Sequence, residues 1–253
     1  LLDPKGEALG GVHERRVRVP RLAPVTDPRG SRFGWRADGA CLLTGGLGDV
    51  GLAVARAMVE EGARRLILMN RSGLPSRRKW ADIDPVTPVG ERIAAVRALE
   101  SLGASIQCPA VDVADEAAVA AFRADYAAEG WPPIRGVVHL AGVLDRRLIG
   151  ETSQALFEAA VAGKLRGAQV LDRLLPDLEC FVLFSSMTTV LPQTGIAAYV
   201  AANAGLEGLA LDRSARGLPA IAIAWGQWRA GMLADDPGQA IIAEQAQQGV
   251  SSF

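Results

Sequence analysis

The stretch ACLLTGGLGDVGLAVARAMVEEG, residues 40–62, joins an apolar run of strand length to a segment at helical spacing through a glycine-rich turn. Gly46, Gly48 and Gly51 form GxGxxG, and Thr44, Gly45, Leu47 and Val50 complete the turn. Glycines in this pattern allow a tight bend, let the backbone approach a pyrophosphate and let the helix lie close to the sheet. The free N–H groups of the helix's first turn then face the anion. GxGxxG alone is a weak signal; with a strand before it and a helix after it, it points to a dinucleotide site.

The same alternation continues outward. RRLILMN (64–70), SIQCPAVDV (105–113), IRGVVHLAG (134–142), CFVLFSS (180–186) and AIAIAWG (220–226) are apolar runs with no polar alternation. Helical segments lie between them, and in VGERIAAVRALESLG (89–103) Val89, Ile93, Val96, Leu99 and Leu102 mark one face. Uninterrupted apolar strands separated by helices predict a parallel sheet covered on both faces: a doubly wound α/β, Rossmann-like fold. Residues 1–36 differ. ERRVRVPRL (14–22) alternates like an exposed strand, and LAPVTDPRGSRFG (22–34) is rich in turn formers. These residues are read as the remnant of a second structural subdomain with its linker, and 37–253 as the catalytic domain of a chain cut from something larger.

The 253 residues are 49% hydrophobic, enough for a sizeable core, and 27 basic against 28 acidic side chains leave no field to attract a polyanion. Nucleic acid is not an expected partner. No apolar run approaches the roughly 20 residues that span a bilayer, and the start carries no secretory pattern. A cytoplasmic protein without a membrane partner is expected. Cys41, Cys108 and Cys180 lie in or beside strands, outside any CxxC, and are read as small buried hydrophobes with no metal role.

At the end of the second strand, where an NAD enzyme places an acidic residue on the ribose, the chain reads Asn70-Arg71-Ser72. A guanidinium and a hydroxyl suit a 2′-phosphate, so NADPH is the expected cofactor; the alternative is a solvated loop arginine. Asp112 is placed to meet the adenine edge or to cap the next helix. Val113 beside it, and Ala141 and Gly142 after the fourth strand, complete the expected cofactor contacts.

Ser186 precedes Tyr199 by thirteen residues, the spacing of the short-chain dehydrogenases, yet Asn203 stands where their lysine follows the tyrosine. A tyrosine is too weak an acid to protonate a ketone oxygen unless a cation stabilises its phenolate. One lysine, Lys164, lies on the preceding helix in GKLRGA; from periodicity alone it reads as a surface residue.

TGGLGDVG, NRSG, VVHLAGVL, GKLRGA, FVLFSS, YVAAN and AIAWGQW, spanning residues 40–232, together resemble the ketoreductase domain of type I polyketide synthases. In that family the lysine and asparagine exchange places, so the resemblance implies Lys164, Ser186, Tyr199 and Asn203 as the catalytic set. Tyr199 would deliver the proton, Ser186 would share the carbonyl oxygen, Lys164 would hold the ribose and lower the tyrosine pKa, and Asn203 would orient the lysine or a relay water. The implied reaction is NADPH-dependent reduction of a β-ketoacyl chain on the phosphopantetheine of an acyl carrier protein, beside neighbouring synthase domains. His139 is read as structural. Trp225, Gly226 and Trp228 resemble the stretch before a substrate lid, expected at about 229–249 from Met232, although aromatics there also suit plain core.

The chain departs from the family at Leu144-Asp145-Arg146, where a second aspartate is usual in one stereochemical class, and at Leu191, where the other class carries tryptophan. Two rival readings are a non-catalytic structural domain and a free-standing ketone reductase. The intact glycines and catalytic set oppose the first, and the insertion that begins LPSRRKW at residue 74 opposes the second.

Overall fold

The computed structural model describes residues 11–13, 16–18, 34–36, 38–191, 193–226 and 228. Two short strands, β1 (Gly11–His13) and β2 (Arg16–Arg18), form an antiparallel ribbon with Val12 opposite Val17. The expected strand of 14–22 is therefore present only at its centre among the described residues.

All six apolar runs form strands of one sheet: β3 (Ala40–Thr44), β4 (Arg65–Met69), β5 (Ser105–Gln107), β6 (Ile134–His139), β7 (Cys180–Ser186) and β8 (Ile221–Trp225). Their order is β5-β4-β3-β6-β7-β8, and every pairing is parallel. Numbered from the glycine turn, this is the 3-2-1-4-5-6 order of a dinucleotide fold, whose ligand crevice opens where the order reverses, between β3 and β6. The third run is shorter than its apolar length suggests. Pro109 cannot donate to the ladder, and beyond Gln107 only a single bridge joins Asn70 to Ala110.

Successive strand residues face opposite layers. Leu42, Ile67, Val137, Phe181 and Leu183 pack under α3 (Glu116–Ala128), α5 (Gly167–Leu174) and α6 (Ala197–Ala215). Cys41, Leu43, Leu66, Leu68 and Val138 pack under α1 (Asp49–Glu60) and α2 (Pro88–Ser101). In α2, Thr87 caps the start by accepting from Gly90 N at 3.1 Å, and Ile93, Val96 and Leu99 are buried as the periodicity predicts. Leu102 is not: the helix closes at Ser101, which leaves Leu102 at the C-cap and half in solvent.

The segment between β6 and β7, read in the sequence as one helix, is three pieces. These are α4 (Gln154–Val161), a π turn at Ala162–Arg166, and α5. α5 and α6 are bolted by an ion pair between Asp172 and the fully buried Arg213, whose guanidinium stacks 5.0 Å from the Phe181 ring centroid. Cys41 is buried on β3, and burial pushes its thiol upward and that of Cys108 up to about 11, consistent with packing roles. The expected lid at about 229–249 lies outside the described residues.

Candidate active site

A cleft of about 360 Å³ opens at the carboxyl ends of β3, β4 and β6. Thr44, Gly45, Gly48, Val50 and Gly51 line it from the glycine turn, Asn70, Arg71 and Ser72 from the end of β4, Asp112 and Val113 from the segment after β5, and Ala141 and Gly142 from the segment after β6. Gly45 has φ +67°, a left-handed conformation that favours glycine, and a Cβ on Gly51 would sit 2.4 Å from Gly45 O. Gly46 and Leu47 do not line the cleft. A Cβ on Gly46 would collide with Leu43 O and Leu68 Cα, and Leu47 is buried in the core, so both shape the turn from beneath.

Arg71 is exposed at the rim and makes no ion pair with a described residue. Asp112 is not the cap of α3. Asp115 holds that place, accepting from Ala118 N at 3.1 Å, while Asp112 Oδ1 accepts from Ala114 N at 3.0 Å and stays at the cleft.

Four groups tie the cleft wall to the π turn. Lys164 O can only accept, so His139 Nε2–H donates to it at 2.7 Å, and Nδ1 then accepts from Thr44 Oγ1 at 2.7 Å. Thr44 Oγ1 in turn accepts from Ala141 N at 3.2 Å. Burial and the nearby Lys164 hold His139 down to about 3, so it is a neutral strut, as its structural reading expected.

The π turn delivers Lys164 to the interior, where it is 3% exposed. One extra residue in the turn rotates α5 relative to α4, a distortion common at functional sites. The Lys164 Nζ donates to Phe184 O at 2.7 Å and lies 5.6 Å from the Tyr199 ring centroid. Two glycines clear the way. A Cβ on Gly142 would lie 2.9 Å from Lys164 Cε, and one on Gly205 would lie 2.7 Å from Leu165 Cδ2. Burial lowers Lys164 from 10.5 to about 8.

Tyr199, in the first turn of α6, faces Ser186 at the end of β7. Lys164 lies against the phenol ring, yet the net displacement of the phenol is upward. Burial raises Tyr199, and the side chains that draw it back are Asn203 and Ser186. Asn203 is fully buried; its Nδ2 donates to Tyr199 O at 2.8 Å, and its Oδ1 has no partner among the described residues. Ser186 Oγ accepts from Thr188 N at 3.3 Å, which leaves its own hydrogen to donate. None of these four side chains lines the cleft itself; they stand behind it, and Gly142, which does line it, lies against Lys164.

The family model for the KR domain matches residues 39–230. The chain belongs to that family. The chain is 41% identical over 99% of its length to 5-methyl-1-naphthoate synthase of Streptomyces sahachiroi, and 40% identical over 86% of its length to 6-methylsalicylic acid synthase of Aspergillus terreus. It spans only 14% and 12% of those proteins. Among solved structures it matches the ketoreductase from the first module of phoslactomycin biosynthesis in Streptomyces sp. HK803 at TM-score 0.84 and 34% identity, over 98% of this chain and 54% of that one. An A1-type ketoreductase matches at TM-score 0.78 and 34% identity, over 96% and 49%. The resemblance read from the motifs is thereby shown, and the KR domain is of oxidoreductase type with the Rossmann-like fold of nicotinamide enzymes.

Sequence reasoning overlooked some of this KR domain's site. Asp49, Leu140, Val143, Ala162 and Gly163 also line the cleft, brought there by backbone course alone. Trp225 and Trp228 are partly buried and pack on Phe184 at 5.1 and 6.5 Å between ring centroids, at the edge of the core. Glu207, bonded to Ser185 and Thr189, was missed as well, though Tyr199, Asn203 and Glu207 recur every fourth residue as a polar stripe on α6.

Proposed function

We propose that the chain is an NADPH-dependent β-ketoreductase domain that reduces the β-keto group of an intermediate carried by an acyl carrier protein to a β-hydroxyl. The observation that carries the reading is Lys164, buried by a π turn with its ammonium over the Tyr199 ring beside the cleft lined by the glycine turn. The cofactor fits the residues present. Gly45, Gly46 and Gly51 let the turn pack tightly on itself and on the sheet, α1 opens toward the cleft, and Arg71 stands at the rim with no ion pair among the described residues, available for a 2′-phosphate.

When bound, the reduced nicotinamide supplies the hydride for the C3 carbon. The chain's own residues manage the oxygen. Ser186, already accepting from Thr188, donates to the carbonyl oxygen, and Tyr199, raised by burial and so protonated near neutrality, delivers the proton. Lys164 steadies the phenolate that remains and holds the nicotinamide ribose. Asn203 offers its Oδ1, without a partner among the described residues, to the ammonium or to a water that reprotonates Tyr199. Residues 37–253 would form this catalytic domain with its lid at 229–249, and 1–36 part of a structural subdomain. The partners are the carrier protein and neighbouring synthase domains in the cytoplasm.

The test is reduction of a β-ketoacyl thioester surrogate with NADPH, comparing wild type with Lys164→Ala and Tyr199→Phe. Turnover by wild type and its loss in both variants support the reading. No NADPH binding by fluorescence titration would favour a structural domain instead.

A further inference from the structure

Ser186 and Tyr199 must address one oxygen atom, yet they sit on different elements, the last residue of β7 and the first turn of α6. Their separation is set by whatever fixes the turn after β7 to that helix. Two contacts do so at one carboxylate oxygen: Glu207 Oε1 accepts from Ser185 Oγ at 2.6 Å and from Thr189 Oγ1 at 2.9 Å, with Ser186 O, 3.0 Å from Thr189 Oγ1, sharing that hydroxyl's single hydrogen. The carboxylate thus grips the residue before the catalytic serine and the third residue after it. Glu207 lies one helical turn beyond Asn203 and two beyond Tyr199, so it is rigidly indexed to both.

Resting on the ketoreductase reading above, we infer that Glu207 is a positioning residue that sets the register of Ser186 against Tyr199 through Ser185 and Thr189. Both hydroxyls donate, and both go to the same oxygen, so the role requires an acceptor and not a charge. Glutamine keeps that oxygen; alanine removes it. The side chain is only partly buried, and Ser185 is buried, so loss of the carboxylate leaves the Ser185 hydroxyl without its shortest bond and frees the turn to shift. Misplacing a catalytic group by about 1 Å costs up to about a hundredfold in rate.

The experiment uses the full chain with Glu207→Ala, Glu207→Gln and the milder Thr189→Val. Expected for Glu207→Ala is a fall in kcat of about ten- to a hundredfold with the Kd for NADPH unchanged. Glu207→Gln restores most of the rate, and Thr189→Val gives a smaller loss in the same direction. A second readout needs no turnover. The chain has two tyrosines, so in a Tyr126→Phe background the ultraviolet phenolate signal reports Tyr199 alone. Among the described residues, three groups face that phenol: Ser186, Asn203 and the Lys164 ammonium. Withdrawing Ser186 should move Tyr199 ionisation to higher pH in Glu207→Ala and not in Glu207→Gln.

Unchanged kcat and unchanged Tyr199 ionisation in Glu207→Ala overturn the inference. So does a parallel loss of NADPH binding and thermal stability, which marks a folding role only. If wild type itself does not turn over, the ketoreductase reading fails, and the Tyr199 titration still decides whether Glu207 sets the serine.

Discussion

Replacing Lys164 by methionine should make the protein more stable at neutral pH while removing its activity. The lysine is 3% exposed, and burial lowers it from 10.5 to about 8. At about 1.4 kcal/mol per unit, the folded state carries a deficit of about 3 kcal/mol for holding the ammonium. Methionine fills a similar volume without charge but gives up the bond from Nζ to Phe184 O, worth ~1 kcal/mol. The net gain is ~2 kcal/mol, or a rise in Tm of about 4–8 °C for a chain of this size. The pH dependence supplies the sign. Below about pH 8 both folded and unfolded states are protonated and the deficit is complete. Between that value and 10.5 the unfolded state binds the extra proton, so wild-type stability rises with pH relative to the variant. Near pH 10.5 the advantage of methionine should vanish or reverse by the lost hydrogen bond. Urea titrations at several pH values from 7 to 10.5, wild type beside Lys164→Met, read this directly. A variant less stable than wild type at pH 7, or a gap that does not narrow with pH, would refute the placement of a charged lysine in the interior.

Arg71→Ala should weaken NADPH about 10- to 100-fold and leave NADH nearly unchanged, because a charge-assisted contact of about 1.5–3 kcal/mol has a target only in the 2′-phosphate; equal losses in fluorescence titrations would remove the assignment. Gly142→Ala would put a Cβ 2.9 Å from Lys164 Cε, and displacing the lysine should lower kcat by at least about tenfold, with intact folding checked by circular dichroism. Asp172→Asn should cost ~3 kcal/mol in urea denaturation, since Arg213 is left fully buried without its counter-charge. A loss under ~1 kcal/mol there would mean that the α5–α6 bolt contributes little.

The sheet was legible because its central strands, β3, β4, β6 and β7, are largely buried, and all six apolar runs are bounded by turns and helices, so each declared itself without reference to its neighbours. The glycine turn, Arg71 and the Ser186–Tyr199 spacing were likewise local facts, and the cleft opens where the strand order reverses, with the turn and Arg71 in its lining. Leu102 and the shortened β5 were misread because a helix end and a proline override periodicity.

What the chain's order of residues determined by itself was therefore the parallel fold, the glycine turn and the Ser186–Tyr199 spacing, while Lys164 and Asn203 became candidates only through the family resemblance. Tertiary structure alone decided how those side chains meet. The π turn has no periodic signature, since the segment that contains it reads as unbroken helix, yet it turns Lys164 from a surface residue into a buried cation. Its anchors are Phe184 O and, through Lys164 O, His139, and a backbone carbonyl is the same in every residue. Glu207, Ser185 and Thr189 are ordinary polar residues until α6 lies against the turn after β7. Contacts between distant segments and to backbone oxygens leave no mark on a linear pattern, because the energy that selects them comes from burial, which only the packed chain defines.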